Sequence, residues 1–194
     1  MSEPEFLEAL KKKVLIFDGA MGTSIHALNL SLDDYLGYEN CPEILVDSKP
    51  DAIASIHESF FKAGCDAVET NTFGGSPVVL AEFDLSERAY ELTLKAAQIA
   101  RQVASDYSNK GQKRFVSGSI GPTTKLPSLG HITFNQMKDA YYEQVRGLVD
   151  GGADVLQFET GQDLLQAKAA IVAMFEYMRK IGRKIPTIVQ VTIE

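Results

Sequence analysis

Five short apolar segments, each closing on a glycine or a polar residue and separated from the next by a helical pattern, constrain this chain more than any other feature. Val14-Leu15-Ile16-Phe17 ends in Asp18-Gly19; Asp66 to Phe73, Phe115 to Gly121 and Asp154 to Thr160 repeat the format, and Ile185 to Glu194 is the fifth. The continuous apolar run at Val14 to Phe17 predicts a strand buried on both faces, as in a parallel sheet. Between the strands, apolar residues recur at helical spacing. Pro50 opens one helix where a missing amide hydrogen costs nothing; Ile53, Ile56 and Phe60 share its inner face and Gly64 stops it. Ser86 is read as the N-cap of the next, which carries Ala89, Leu92, Ala96, Ile99 and Val103. Thr133 caps a third, with Met137, Tyr141, Val145 and Leu148 inward, and the fourth carries Leu164, Leu165, Ala169, Val172, Phe175 and Met178.

Strands alternating with helices imply parallel pairing through right-handed crossovers, which leaves a (β/α)8 barrel or an open doubly wound sheet. An internal echo, Ala63-Gly64-Cys65-Asp66-Ala67-Val68-Glu69-Thr70 against Gly151-Gly152-Ala153-Asp154-Val155-Leu156-Gln157-Phe158-Glu159-Thr160, favours the barrel. Barrels take roughly 250 residues, and four strand–helix units occupy residues 14–184 here. The expected fold is therefore α/β, an incomplete (β/α)8 TIM barrel of about four βα units plus a fifth parallel strand, one domain over residues 1–194. Such an arc leaves strand edges and apolar surface uncovered, so self-association is expected.

Charge narrows the partners. With 19 basic and 26 acidic side chains the net charge is −7, a field that repels phosphate backbones and anionic membrane surfaces, so neither nucleic acid nor membrane is an expected partner. The run Lys11-Lys12-Lys13 reads as a solvated face. No signal segment or spanning apolar run is visible, and a cytoplasmic protein is expected. Cys41 and Cys65 are too few for a disulfide framework and too far apart for a CxxC site; His26, His57 and His131 show no HxH or HExxH spacing, and His57 reads as structural.

Polar residues gather at the carboxyl ends of the strands: Asp18, Glu69 with Asn71, Gly121 with Thr123, and Glu159. Both candidate folds bind ligands there. A carboxylate at the end of an apolar strand needs a partner, which can be a cationic ligand group, an internal salt bridge or a helix cap; the residues alone leave that open. Asp18-Gly19-Ala20-Met21-Gly22-Thr23 is a glycine-bearing turn, but it fails GxGxxG and no Walker lysine follows. A glycosidase-like pair of Glu69 and Glu159 is weakened by the lack of tryptophan for sugar stacking.

Taken together and in order, these motifs resemble the homocysteine S-methyltransferase family. Asp18 to Thr23 is similar to its opening motif and Glu69-Thr70-Asn71-Thr72-Phe73 to its second-strand motif. Gly121-Pro122-Thr123-Thr124-Lys125-Leu126-Pro127, Glu159-Thr160-Gly161-Gln162-Asp163-Leu164-Leu165-Gln166 and Gln190-Val191-Thr192-Ile193-Glu194 look like the forms found in cobalamin-dependent methionine synthases. The resemblance runs from about residue 10 to the end. It implies a barrel that binds homocysteine at its carboxyl-terminal face and forms methionine, with Asp18 and Glu159 holding the substrate ammonium and the Gly19 backbone against its amino-acid end. Met21, Thr70 and Phe73 would line the pocket with Asn71, and Cys41 is read as a buried thiol near its rim. It also implies zinc held by three cysteines, methylcobalamin as methyl donor, and recharging from methyltetrahydrofolate, with cobalamin and folate bound by other modules. The zinc ligands follow later strands in the family and are expected beyond residue 194, in a missing carboxyl-terminal half of the barrel. No catalytic residue is expected within this stretch, and alone it is expected to be inactive. The alternative reading is a non-catalytic half-barrel that serves binding or assembly.

Overall fold

The computed structural model describes residues 3–109 and 111–193. Met1, Ser2 and Glu194, the last residue of the fifth expected strand, lie outside them. The elements run in the order α1 (Glu5–Leu10), α2 (Met21–Ala27), α3 (Leu45–Ser48), α4 (Pro50–Ala63), β1 (Ala67–Glu69), α5 (Pro77–Leu80), α6 (Ala89–Asp106), β2 (Phe115–Ile120), α7 (Phe134–Asp150), β3 (Val155–Gly161), α8 (Leu164–Ile181) and β4 (Thr187–Val191). The four strands form one parallel sheet in sequence order, β1-β2-β3-β4. A doubly wound sheet reverses its strand order at a switch point; this sheet does not, and its arc is part of a (β/α)8 barrel.

Inward and outward faces follow from the register. Ala67 pairs with Phe115, and Ser117 with Val155, so these residues share the concave face. There Phe6 of α1 plugs the amino-terminal end against Leu15, Ala67, Phe115 and Val155, with its ring edge-on to Phe115. The opposite face presents Val68, Val116, Leu156 and Phe158 to α6, α7 and α8, where Ala97, Ala100, Tyr141, Leu148, Ala170 and Met174 complete the main core.

The first expected strand is the largest departure. Val14 to Phe17 runs beside β1 but forms a single parallel bridge with it rather than a strand, Phe17 with Ala67, in which Asp18 N–H donates to Ala67 O at 3.0 Å and Ala67 N–H to Ile16 O at 3.2 Å. It is not buried on both faces: Leu15 is buried, whereas Val14 and Ile16 are 85% and 61% exposed. Alternate side chains point to opposite sides of a strand, and no described helix covers the outer side here. At the far edge Val189 and Val191 of β4 are exposed as well, so the expected open edges are present.

Most helix ends match their sequence signals. Pro50 begins α4 and Gly64 ends it at φ 108°, although Phe61 rather than Phe60 is the buried aromatic. Thr133 caps α7 in a reciprocal capping box with Gln136. Ser86 does not cap α6; it opens a 3-10 turn, Ser86–Arg88, and Arg88 precedes the helix without a side-chain cap bond. In α8 the inner face is Gln166, Ala167, Ala169, Ala170, Ala173, Met174, Tyr177 and Met178. Leu164, Leu165 and Phe175 are exposed, because small alanines rather than bulky residues meet the close neighbour α7. Among the described residues no helix is long and apolar enough to cross a membrane.

Candidate functional site

Parallel strands deliver their last side chains to one end of the sheet, and there a cavity of about 290 Å³ opens. The turn after Phe17 contributes Gly19 and Met21, the loop after β1 contributes Thr70, Asn71 and Phe73, and β3 contributes Glu159. Six of the seven residues singled out from sequence thus line one cavity. Asp18 is the seventh and is set back from the wall, where its two oxygens accept the backbone N–H of Glu69 at 3.0 and 3.1 Å. That bond also ties the first segment to β1.

The remaining contacts fix the walls. Ser119 donates to Glu159 Oε1 at 2.6 Å, and Gln157 Nε2 donates to Glu69 Oε1. Thr70 Oγ1 accepts Ser119 N–H at 3.1 Å and lies 2.6 Å from Thr72 Oγ1, so its hydroxyl is satisfied internally. Asn71 Nδ2 donates to Pro42 O at 2.8 Å, and Gly74 N–H donates to Glu43 Oε1 at 2.7 Å. These two bonds fasten the loop after β1 to the Pro42–Ile44 turn. Glu159 stands where β3 bulges: from Phe158 to Gly161 it advances three residues while β4 advances two, from Val189 to Val191. Thr160 absorbs the extra residue at φ 57°, a left-handed conformation costly for a β-branched side chain.

The cavity is an acidic one. Glu43, Glu69 and Glu159 line it, Asp18 stands behind, and no Lys, Arg or His is among the lining residues. Burial pushes Asp18 up to about 7, opposed by its backbone bond to Glu69 and helped by the Glu69 charge. Burial and the charge of Glu159 carry Glu69 up to about 7, and burial also raises Glu43. Two wider grooves, of about 1150 and 1000 Å³, open at the amino-terminal ends of the strands. Acidic and basic side chains mix there, Lys113 pairing with Glu5 and Arg101 with Asp154, whereas the carboxyl-end cavity is lined by carboxylates alone among charged groups.

Sequence reasoning missed Glu43. Its signal was a lone carboxylate inside the apolar stretch Cys41-Pro42-Glu43-Ile44-Leu45-Val46. Cys41 is fully buried in a small core with Ile44, Val46 and Leu80, and its Sγ lies 3.9 Å from Glu43 Oε2.

The zinc implied by the sequence resemblance does not fit the described residues. Burial, chiefly, pushes both thiols up to about 12, Cys41 with the help of Glu43 and Cys65 with that of Asp18. Among the described residues no three His, Cys, Asp or Glu side chains are grouped to hold a metal.

An arc of parallel strands with a cavity at their carboxyl ends defines a barrel-type α/β domain. A family model described as homocysteine S-methyltransferase matches residues 15–194, and the chain belongs to the homocysteine S-methyltransferase family. Methionine synthases of Mycobacterium tuberculosis and Mycobacterium leprae are 46% and 45% identical to it over 192 residues, which is 99% of this chain and 16% of each of those proteins. The crystal structure of the homocysteine methyltransferase MmuM from Escherichia coli in its oxidized form superposes with a TM-score of 0.74 at 25% identity, over 92% of this chain and 63% of that one. Its metallated form gives a TM-score of 0.74 at 24% identity. The chain thus spans a minor part of the methionine synthases and less than two thirds of the shorter enzyme.

Proposed function

We propose that the carboxyl-end cavity binds homocysteine by its amino-acid end, as part of a methyltransferase that forms methionine. The observation that carries the reading is a small cavity with several carboxylates and no cation, in a chain of this family. A buried carboxylate needs a positive partner, and the ammonium group of an amino acid supplies one. Asp18 and Glu159 hold it by charge-assisted hydrogen bonds, Glu159 being oriented by Ser119 and by the bulge of β3. The Gly19 backbone lies against the amino-acid end, and Met21, Thr70, Asn71 and Phe73 shape the walls.

The methyl donor in this reading is methylcobalamin, recharged from methyltetrahydrofolate by other modules. Zinc activates the substrate thiol when bound, from ligands outside residues 1–194. Those residues form the amino half of the barrel domain, and a cytoplasmic setting accords with soluble amino-acid metabolism. What the residues described here contribute is binding and orientation.

The test is homocysteine affinity in Asp18→Asn and Glu159→Gln, measured in the completed barrel. Each substitution converts a charged hydrogen bond into a neutral one and is expected to cost about 1 to 3 kcal/mol. Wild-type affinity in both variants removes these carboxylates from the site.

A further inference from the structure

Glu69 lines the cavity and has no part in the amino-acid reading above. Its surroundings carry no positive charge. Asp18 bonds the Glu69 backbone from the turn before β1. From β2, Ser117 and Ser119 share its side of the sheet through the pairings Glu69 with Ser117 and Ser119 with Gln157, and both are neutral. From β3 come Glu159 and the amide of Gln157, and Glu43 faces the same cavity from the Pro42–Ile44 turn. Lys13 and Arg114, the basic side chains around β1, are engaged with Asp66 at its other end.

Carboxylates crowded this way without a counterion do not all ionise. Asp18 uses both oxygens to accept a backbone N–H, an arrangement that favours its charged form. Glu69 receives one bond, from Gln157 to Oε1, which a neutral acid keeps at its carbonyl oxygen while Oε2 carries a proton.

We propose that Glu69 is the proton-holding residue of the amino-acid pocket: a neutral acid while the pocket is empty, ionised when a ligand ammonium group arrives. The Glu69 O–H bond breaks, the carboxylate keeps the electron pair, and the proton leaves to solvent as the ammonium takes its place. The inference rests on the amino-acid reading. Burial and the Glu159 charge, which carry Glu69 up to about 7, place the exchange near neutrality. Binding that releases a proton tightens as pH rises. Affinity should therefore change by up to about tenfold per pH unit on the acid side of neutrality and level off above it.

The decisive experiment is isothermal titration calorimetry of the completed barrel with L-methionine, which has the ammonium and carboxylate of homocysteine but no titrating thiol. Runs at about pH 6, where Glu69 is largely protonated, in buffers of different ionisation enthalpy count the protons released. Wild type is expected to release on the order of one proton per ligand. Glu69→Gln keeps the Gln157 bond and is expected to lose this proton, leaving only the smaller release that Asp18 supplies and an affinity that follows pH less steeply. Binding by wild type without proton release overturns the role of Glu69 and leaves the amino-acid reading standing. Undiminished release in Glu69→Gln assigns the proton elsewhere and also overturns it. If wild type does not bind methionine, both readings fall. Carbon-13 resonances of the glutamate carboxyls in the wild type provide a check that needs no variant: one should titrate near neutrality in the free chain and lose that transition at saturating methionine, and its absence overturns the proposal.

Discussion

At the scale of single residues, the buried polar groups divide into those with partners and those without. Glu43 and Asn71 fasten the loop after β1 to the Pro42–Ile44 turn, and Asp18 holds the end of β1, each through a backbone bond. His57 of α4 is fully buried, and neither ring nitrogen has a hydrogen-bond partner. An unpaired buried polar group costs about 1 to 3 kcal/mol, whereas an apolar replacement of similar shape removes that cost. His57→Leu is therefore expected to leave stability unchanged or raise it, as measured by urea denaturation at neutral pH. A loss of more than about 2 kcal/mol would show that the imidazole makes a contact worth keeping.

At the scale of elements, α6 and α7 approach so closely that Gly147 has no room for a side chain. A Cβ there would lie 2.0 Å from Thr93 Oγ1 and 2.7 Å from the Tyr90 carbonyl oxygen. Thr93 cannot readily turn away, since its hydroxyl donates to Ala89 O at 2.7 Å. Alanine in place of a helical glycine gains about 1 kcal/mol in propensity, but overpacking a tight interface costs about 1 to 3 kcal/mol. Gly147→Ala should thus be a net loss, seen as a lower denaturation midpoint. A gain in stability would mean that the two helices can separate freely. The contact has a functional side: α7 also carries Gln144, whose Nε2 donates to Thr72 O at 2.7 Å and so steadies the loop after β1.

At the scale of the whole molecule, the acidic cavity sets itself against stability. Asp18 and Glu69 rise from 3.8 and 4.5 to about 7, so the folded chain binds protons more tightly than the unfolded one. Their contribution is fully present below the unfolded values and is lost as pH rises through about 7. His57 acts in the opposite sense: burial lowers it from 6.5 to about 4, and its contribution is lost as pH falls through that interval. In His57→Leu the carboxylates act alone. The ligand-free variant should lose stability steadily as pH rises from about 5 to 8, by denaturation midpoints taken across that range. A profile that rises toward pH 8 would contradict the raised values of Asp18 and Glu69. In the wild type the two effects oppose each other, and a flatter profile is expected.

Local chemistry in the sequence determined much of this. Helical spacing, Pro50, Gly64 and the Thr133–Gln136 box act between neighbours in the chain, and each appears in the structure as an element or an end of one, whereas the apolar run Val14 to Phe17 forms only a single bridge. Of the polar strand ends, Glu69, Asn71 and Glu159 meet at one cavity because parallel strands bring their carboxyl ends together, while Asp18 stands behind its wall and Gly121 and Thr123 are not among its lining residues. Tertiary packing decided the rest. Whether Val14 and Ile16 are buried depends on whether a helix covers that face, and the phase of α8 depends on how closely α7 approaches; neither is encoded in hydrophobicity alone. Glu43 gave no periodic signal, since the Pro42–Ile44 turn meets the loop after β1 only in three dimensions. The charge state of Glu69 is likewise tertiary: it follows from the carboxylates that the fold gathers around one small volume and from the absence of any basic side chain among the residues that line it.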